Sequence, residues 1–73
     1  RVFPNPASQF LNVVSPSGIQ KIAFINTSGV IVKTVYPQGL PDAKISVEAL
    51  ISGVYWIRIT NQNGDELSKI IIH

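Results

Sequence analysis

Apolar and polar residues alternate through most of the chain, and turn-forming clusters interrupt them at regular intervals. The clearest stretch sets Tyr55, Ile57 and Ile59 against Trp56, Arg58 and Thr60. Successive side chains of a strand point to opposite faces, so the first set is expected in the core and the second outside it. Leu11 and Val13, Ile22 and Phe24, and Ile45 and Val47 form further inward pairs on the same period. Val30-Ile31-Val32 and Ile70-Ile71-Ile72 do not alternate. Being apolar on both faces, these two runs are expected to be central in the packing or covered by something else.

The punctuation consists of Pro4-Asn5-Pro6, Ser15-Pro16-Ser17-Gly18, Asn26-Thr27-Ser28-Gly29, the stretch from Pro37 to Asp42, Ser52-Gly53 and Asn63-Gly64. Glycine reaches positive φ, proline fixes φ, and asparagine and serine bond their own backbone. Between these clusters the pattern predicts strands over 9–15, 19–26, 30–36, 43–48, 53–61 and 66–72, with Val2-Phe3 as an added edge piece. Asn63-Gly64 is the strongest hairpin signal. Pro37 to Asp42 is expected to be the longest loop, and Gly29 and Gly53 to sit where conformational freedom or close approach is needed. Short strands with a turn at each interval indicate a sandwich or barrel. The expectation is one antiparallel sandwich of six or seven strands, cored by Leu11, Val13, Ile22, Phe24, Ile45, Val47, Tyr55, Ile57 and Ile59. Ser46 to Leu50 offers one helical turn at most, too short to stand alone.

Composition agrees and narrows the function classes. Valine and isoleucine far outnumber alanine and leucine, 45% of residues are hydrophobic and only 14% are charged. That is too apolar for a disordered tail, and no apolar run reaches the roughly 20 residues of a membrane span. A chain of 73 residues makes one domain, expected to span residues 1–73 as a whole. With no methionine, it is expected to be part of a longer protein. There is no cysteine, so apolar packing and sheet hydrogen bonds must hold the core without disulfides. Arg1, Lys21, Lys33, Lys44, Arg58 and Lys69 are dispersed rather than clustered, which argues against a nucleic-acid footprint.

The chemistry-bearing residues are few. Asp65 and Glu66 are neighbours on a strand and so point to opposite faces; beside Asn63-Gly64 they are expected to solvate a hairpin tip. His73 is the lone imidazole and the last residue, a poor general base where a strand frays. No Gly-rich phosphate loop occurs, and Gln38 and Asp42 are too few oxygens for a calcium loop. No catalytic set, metal site or cofactor is expected. Two features point to binding instead. Trp56, with Arg58 two residues on, faces away from the core; it either covers its own sheet against the arginine stem or forms a docking platform. Lys69-Ile70-Ile71-Ile72-His73 is β-prone, weakly charged and free of proline and glycine. Such a strand is either buried on both faces or gripped by a partner through strand addition at an open edge.

Four segments together resemble one family. Pro4-Asn5-Pro6-Ala7-Ser8 followed by Leu11 and Val13 is similar to the opening of the type A C-terminal sorting domain of the type IX (Por) secretion system. Ile22 to Gly29, Leu50-Ile51-Ser52-Gly53-Val54-Tyr55, and Gly64 with Lys69 to His73 continue the likeness in order. The departures are Gln9, where an acid or asparagine is common, and Asn26, where aspartate is usual. The resemblance implies an immunoglobulin-like sandwich that folds in the periplasm and carries an upstream cargo domain to the cell surface or beyond. It implies recognition by an outer-membrane translocon and shuttle protein, removal by a surface sortase, and no membrane insertion of its own. Lys69, Ile70, Ile71, Ile72 and His73 are the expected recognition segment. Pro4, Asn5, Pro6, Gly29, Gly53, Tyr55 and Gly64 are family-motif positions, and Trp56 and Arg58 a possible docking surface. The other readings are an immunoglobulin-like or fibronectin-like module of an extracellular enzyme or adhesin, binding carbohydrate or acting as a spacer, and a purely structural adhesin domain.

Overall fold

In a computed structural model that describes all residues from Arg1 to His73, the chain forms six strands and no helix. They are β1 (Val2–Phe3), β2 (Phe10–Ile25), β3 (Ile31–Val35), β4 (Leu40–Ser46), β5 (Gly53–Asn61) and β6 (Gly64–Ile72). All pairings between them are antiparallel. The two strands expected over 9–15 and 19–26 are one continuous strand that serves both layers of a sandwich. Its first half pairs with β1 on one side (Val2 opposite Val13) and β4 on the other (Leu11 opposite Ile45). Its second half pairs with β3 (Ile22 opposite Val35) and β5 (Ile22 opposite Ile59), and β6 completes that layer. Strands that switch sheets at a bend are a known way to build such a corner.

Ser15-Pro16-Ser17-Gly18, expected as a turn, is that corner. The register of β2 against β4 shifts between Val14 and Ile19, and against β5 between Ile19 and Lys21. A bulge accepts the missing proline N–H, and the extra residues bend the strand. Gly18 takes φ +88°, and a Cβ there would lie 2.7 Å from the Gly39 carbonyl oxygen. Only glycine lets the bent strand pass so close to the neighbouring turn. Ser15 is buried at the same corner, and its hydroxyl accepts a hydrogen bond from Asn61 Nδ2 at 3.2 Å.

The loop expected from Pro37 to Asp42 is shorter, because β4 already begins at Leu40. Gln38 and Gly39 turn the chain, both at positive φ. Pro41 fits within β4 because that strand pairs only with β2 and is an edge.

All nine expected core residues are buried, and Ala7, Ile19, Ile70 and Ile72 join them in one cluster of 13. Inward side chains of both layers meet there. Each fully buried aliphatic or phenylalanine side chain contributes about 1.5–3 kcal/mol relative to exposure, and no cysteine is present to add a cross-link. The two non-alternating runs behave differently from each other. Ile70 and Ile72 are buried while Ile71 between them is exposed, so β6 is central on one face only. Val30, Ile31 and Val32 are all exposed, contrary to expectation: Val30 precedes β3, and β3 lies at the rim of the core, with only its half-buried Val35 packed against it.

Candidate recognition site

β6 reaches its place through the Gly64 turn. Asn61 and Gly64 are the closing pair, so Gln62 and Asn63 occupy the loop, and Gly64 follows it with φ +121°. The hairpin is the one expected, but its centre lies one residue earlier than Asn63-Gly64. The Asn61 side chain organises this end: Oδ1 accepts from the Asn63 N–H at 2.8 Å, and Nδ2 donates to Glu66 Oε2 at 3.3 Å as well as to Ser15. Asp65 and Glu66 are both exposed at the hairpin end.

The expected recognition segment is split by the pleat. Ile70 and Ile72 point into the core, while Lys69, Ile71 and His73 are exposed. Its edge, expected to be open for strand addition, is occupied by the N-terminal segment. The Ala7 N–H donates to the Ile71 carbonyl at 2.9 Å, and the His73 N–H donates to the Ala7 carbonyl at 2.8 Å. Ala7 and Ile72 thereby form a short parallel bridge. Asn5 extends the same contact with its side chain. Its Oδ1 accepts from the Ile71 N–H at 3.0 Å, and its Nδ2 donates to the Lys69 carbonyl at 3.4 Å. The Lys69 carbonyl, the Ile71 N–H and carbonyl and the His73 N–H, which face away from β5, are thus met by Asn5 and Ala7. Exposed strand edges invite pairing with other chains, and this one is covered along its last turns of pleat. Neither Asn5 as an edge clamp nor Ala7 as a core residue was foreseen; the asparagine held between two prolines was the available signal, and it reads equally well as a plain turn.

The other motif positions have structural partners too. Gly29 has φ +82° in a turn whose organiser is Asn26, with Oδ1 accepting from the N–H groups of Ser28 and Val30, each at 3.0 Å. An acceptor oxygen is what this turn requires, and aspartate or asparagine supplies it. Gly53 has φ +154° at the start of β5, and Tyr55 is buried with its hydroxyl donating to the Ile51 carbonyl. The spacing from Leu50 through Gly53 to Tyr55 thus ties the corner before β5 to its own first turns. Leu50 packs against the core beside it.

Trp56 lies on the outer face of the β5–β6 layer, as expected. The register sets it directly opposite Ile25 on β2 and Lys69 on β6, and sets Arg58 opposite Leu67. Directly paired residues share a face, so Trp56, Arg58, Leu67, Lys69 and Ile71 form one outward surface. Ile31 on β3 continues it through its pairing with Ile25. Trp56 is 40% exposed, Ile71 42%, Ile31 52% and Leu67 58%. The two ring–cation contacts in the molecule are elsewhere, Arg1 over Phe3 and Lys44 over Phe10.

Of three concave features, the most voluminous is an open groove of about 470 Å³ between β3 and β4, lined by Lys33, Val35, Asp42, Ala43 and Lys44 among others. No three His, Cys, Asp or Glu side chains come together anywhere to hold a metal ion. What the molecule offers is a folded corner, a clamped terminal strand and an exposed sheet face. No curated protein matches the chain. The family model of the secretion system C-terminal sorting domain matches residues 1–73 in full. Asn5 on the last strand, Gly29 and Gly64 at turns and Tyr55 in the core are in keeping with that match, and the chain belongs to the family of type IX secretion C-terminal sorting domains.

Proposed function

We propose that residues 1–73 are the sorting unit of a larger secreted protein and direct an upstream cargo through the outer-membrane type IX translocon. Membership of the family makes the domain a sorting signal for export to the cell surface or extracellular space, rather than a catalyst. In the fuller reading the cargo, which can itself be an enzyme, crosses the periplasm, is taken over by a shuttle protein, and is released from this domain by a surface sortase. The recognition segment is Lys69 to His73 with the surface around it. The observation that carries this reading is the family match over the whole chain. Its exposed residues, Lys69, Ile71 and His73, are what a partner can reach without unfolding the domain.

The test is a passenger protein with an export signal, fused to residues 1–73 and expressed in a bacterium that has the pathway. The passenger is expected at the surface or in the medium. Removing Lys69 to His73 is a poor variant, because it takes away Ile70 and Ile72 from the core. Ile71→Ser and Lys69→Ala change only exposed side chains and are expected to leave the passenger in the periplasm. Equal surface delivery by both variants, with folding intact, would remove this segment as the address.

A further inference from the structure

We propose that the outer face of β5 and β6 docks a protein surface with an apolar centre and an acidic rim, so that the terminal strand is read by its face and not by strand addition. The proposal rests on the sorting reading, since the partner would be a component of the export machinery. The end of the β6 edge is already covered. The Ile71 N–H and carbonyl, the Lys69 carbonyl and the His73 N–H are already paired with Asn5 and Ala7. A partner strand could take the Ile71 carbonyl and the His73 N–H only by pulling Ala7, fully buried, out of the core.

The outer face itself is apolar at its centre. Trp56, Ile71, Leu67 and Ile31 are all large, apolar and at least 40% exposed. The pairings of Trp56 with Lys69 and of Arg58 with Leu67 set cations directly beside them. Clustered exposed apolar residues with a polar rim mark interaction sites, and tryptophan and arginine dominate binding energy at such sites. Strands 4.7–4.9 Å apart make four strands about 15 Å across, wide enough to seat a few anchoring side chains.

Charge selects the occupant. Arg58, Lys69 and, through the pairing of Lys21 with Thr60, Lys21 lie on this face. Asp65, opposite Thr60 at the hairpin end, is the one acid among the paired positions of the face. A second copy of the chain docking face to face would set these cations against their own kind, which disfavours self-association. Attraction to an anionic lipid surface draws on clusters of about 4–8 basic residues, more than this face holds. An acidic, apolar-centred protein surface meets both the charge and the exposed side chains.

The experiment uses the passenger fused to residues 1–73 in a cell with the pathway. A photo-crosslinking residue replaces Leu67 on the face, or Glu48 in the exposed turn between β4 and β5 as control. Leu67 is expected to cross-link to a protein of the envelope while Glu48 does not, and Arg58→Glu is expected to abolish that adduct. Arg58→Glu and Trp56→Ala are each expected to lower surface passenger about tenfold, the effect of losing one interface anchor, with both domains still folded in urea titrations and Arg58→Glu as resistant as the unaltered domain. Normal export by both variants would overturn the docking face while leaving the sorting reading standing. Failure of the unaltered fusion to reach the surface would instead sink the sorting reading. Adducts with envelope glycolipid, or only with a second copy of the fusion, would replace the protein partner by that occupant.

Discussion

Substituting Asn5 by alanine tests whether the N-terminal segment is a clamp on the terminal strand or merely lies beside it. The change removes the acceptor for the Ile71 N–H at 3.0 Å and the donor to the Lys69 carbonyl at 3.4 Å. An intramolecular hydrogen bond contributes about 0.5–1.5 kcal/mol net. The second of these is long and both are open to water, so the pair is worth about 1 kcal/mol. Against a total stability of about 4–11 kcal/mol for a chain of 73 residues, that is a measurable loss. It corresponds to about 4–8 °C in melting temperature for a domain of this size. The local effect is larger in proportion. Amide hydrogen exchange at Ile71 is expected to accelerate about tenfold or more, because its acceptor is gone and the edge is opened to water. Exchange at His73 is expected to change less, since its N–H is held by the Ala7 carbonyl. Asn5→Asp is the control: it keeps an acceptor for Ile71 but loses the donor, so Ile71 protection should largely survive. If Asn5→Ala left Ile71 exchange and the urea midpoint unchanged, the clamp would carry no energy and the edge would be functionally open.

Other substitutions follow from neighbouring contacts. Ile70→Ala is expected to cost about 2–5 kcal/mol by leaving a cavity in the core, and Ile71→Ala about 0.5 kcal/mol or less, so adjacent isoleucines should separate cleanly in urea unfolding. Gly18→Ala meets both the positive φ of +88° and a contact 2.7 Å from the Gly39 carbonyl oxygen; it is expected to lose at least about 2 kcal/mol, and a near-neutral result in thermal melts would show that the corner can relax. Tyr55→Phe removes only the hydroxyl that donates to the Ile51 carbonyl, an expected loss of about 1 kcal/mol in the urea midpoint. Asn26→Ala should cost about 1–2 kcal/mol through its two lost acceptor contacts, whereas Asn26→Asp should retain stability within about 0.5 kcal/mol in the same assay.

Much of the fold was legible because the information is local. Alternation over Tyr55, Ile57 and Ile59, and over Leu11 and Val13, identifies inward positions without knowledge of any partner, and all of them are buried. Asn26, Gly29 and Gly64 bend the chain through chemistry confined to a few neighbouring residues. The outward aspect of Trp56 and Arg58 follows from the same period. Local signals also have a limit, seen at Ser15 to Gly18. Proline, serine and glycine serve a turn and a bulge equally well, and whether the chain reverses or merely bends there depends on β4 and β5 pairing along both halves of β2.

What only the tertiary structure decided is which apolar surface stays uncovered and which strand edge stays open. Val30-Ile31-Val32 and Ile70-Ile71-Ile72 have the same pattern in the chain, yet one lies exposed on an edge and the other buries two of its three residues. The difference is the layer each meets across the sandwich, a property of packing and not of either segment. The clamp on β6 is more remote still. Asn5 and Ile71 are 66 positions apart, and nothing in Pro4-Asn5-Pro6 shows that its amide matches the spacing of two backbone groups on the last strand. Alternation and turn chemistry are set by neighbours in sequence. Edge coverage is set by neighbours in space, brought together only when β2 bends and the two ends of the chain meet.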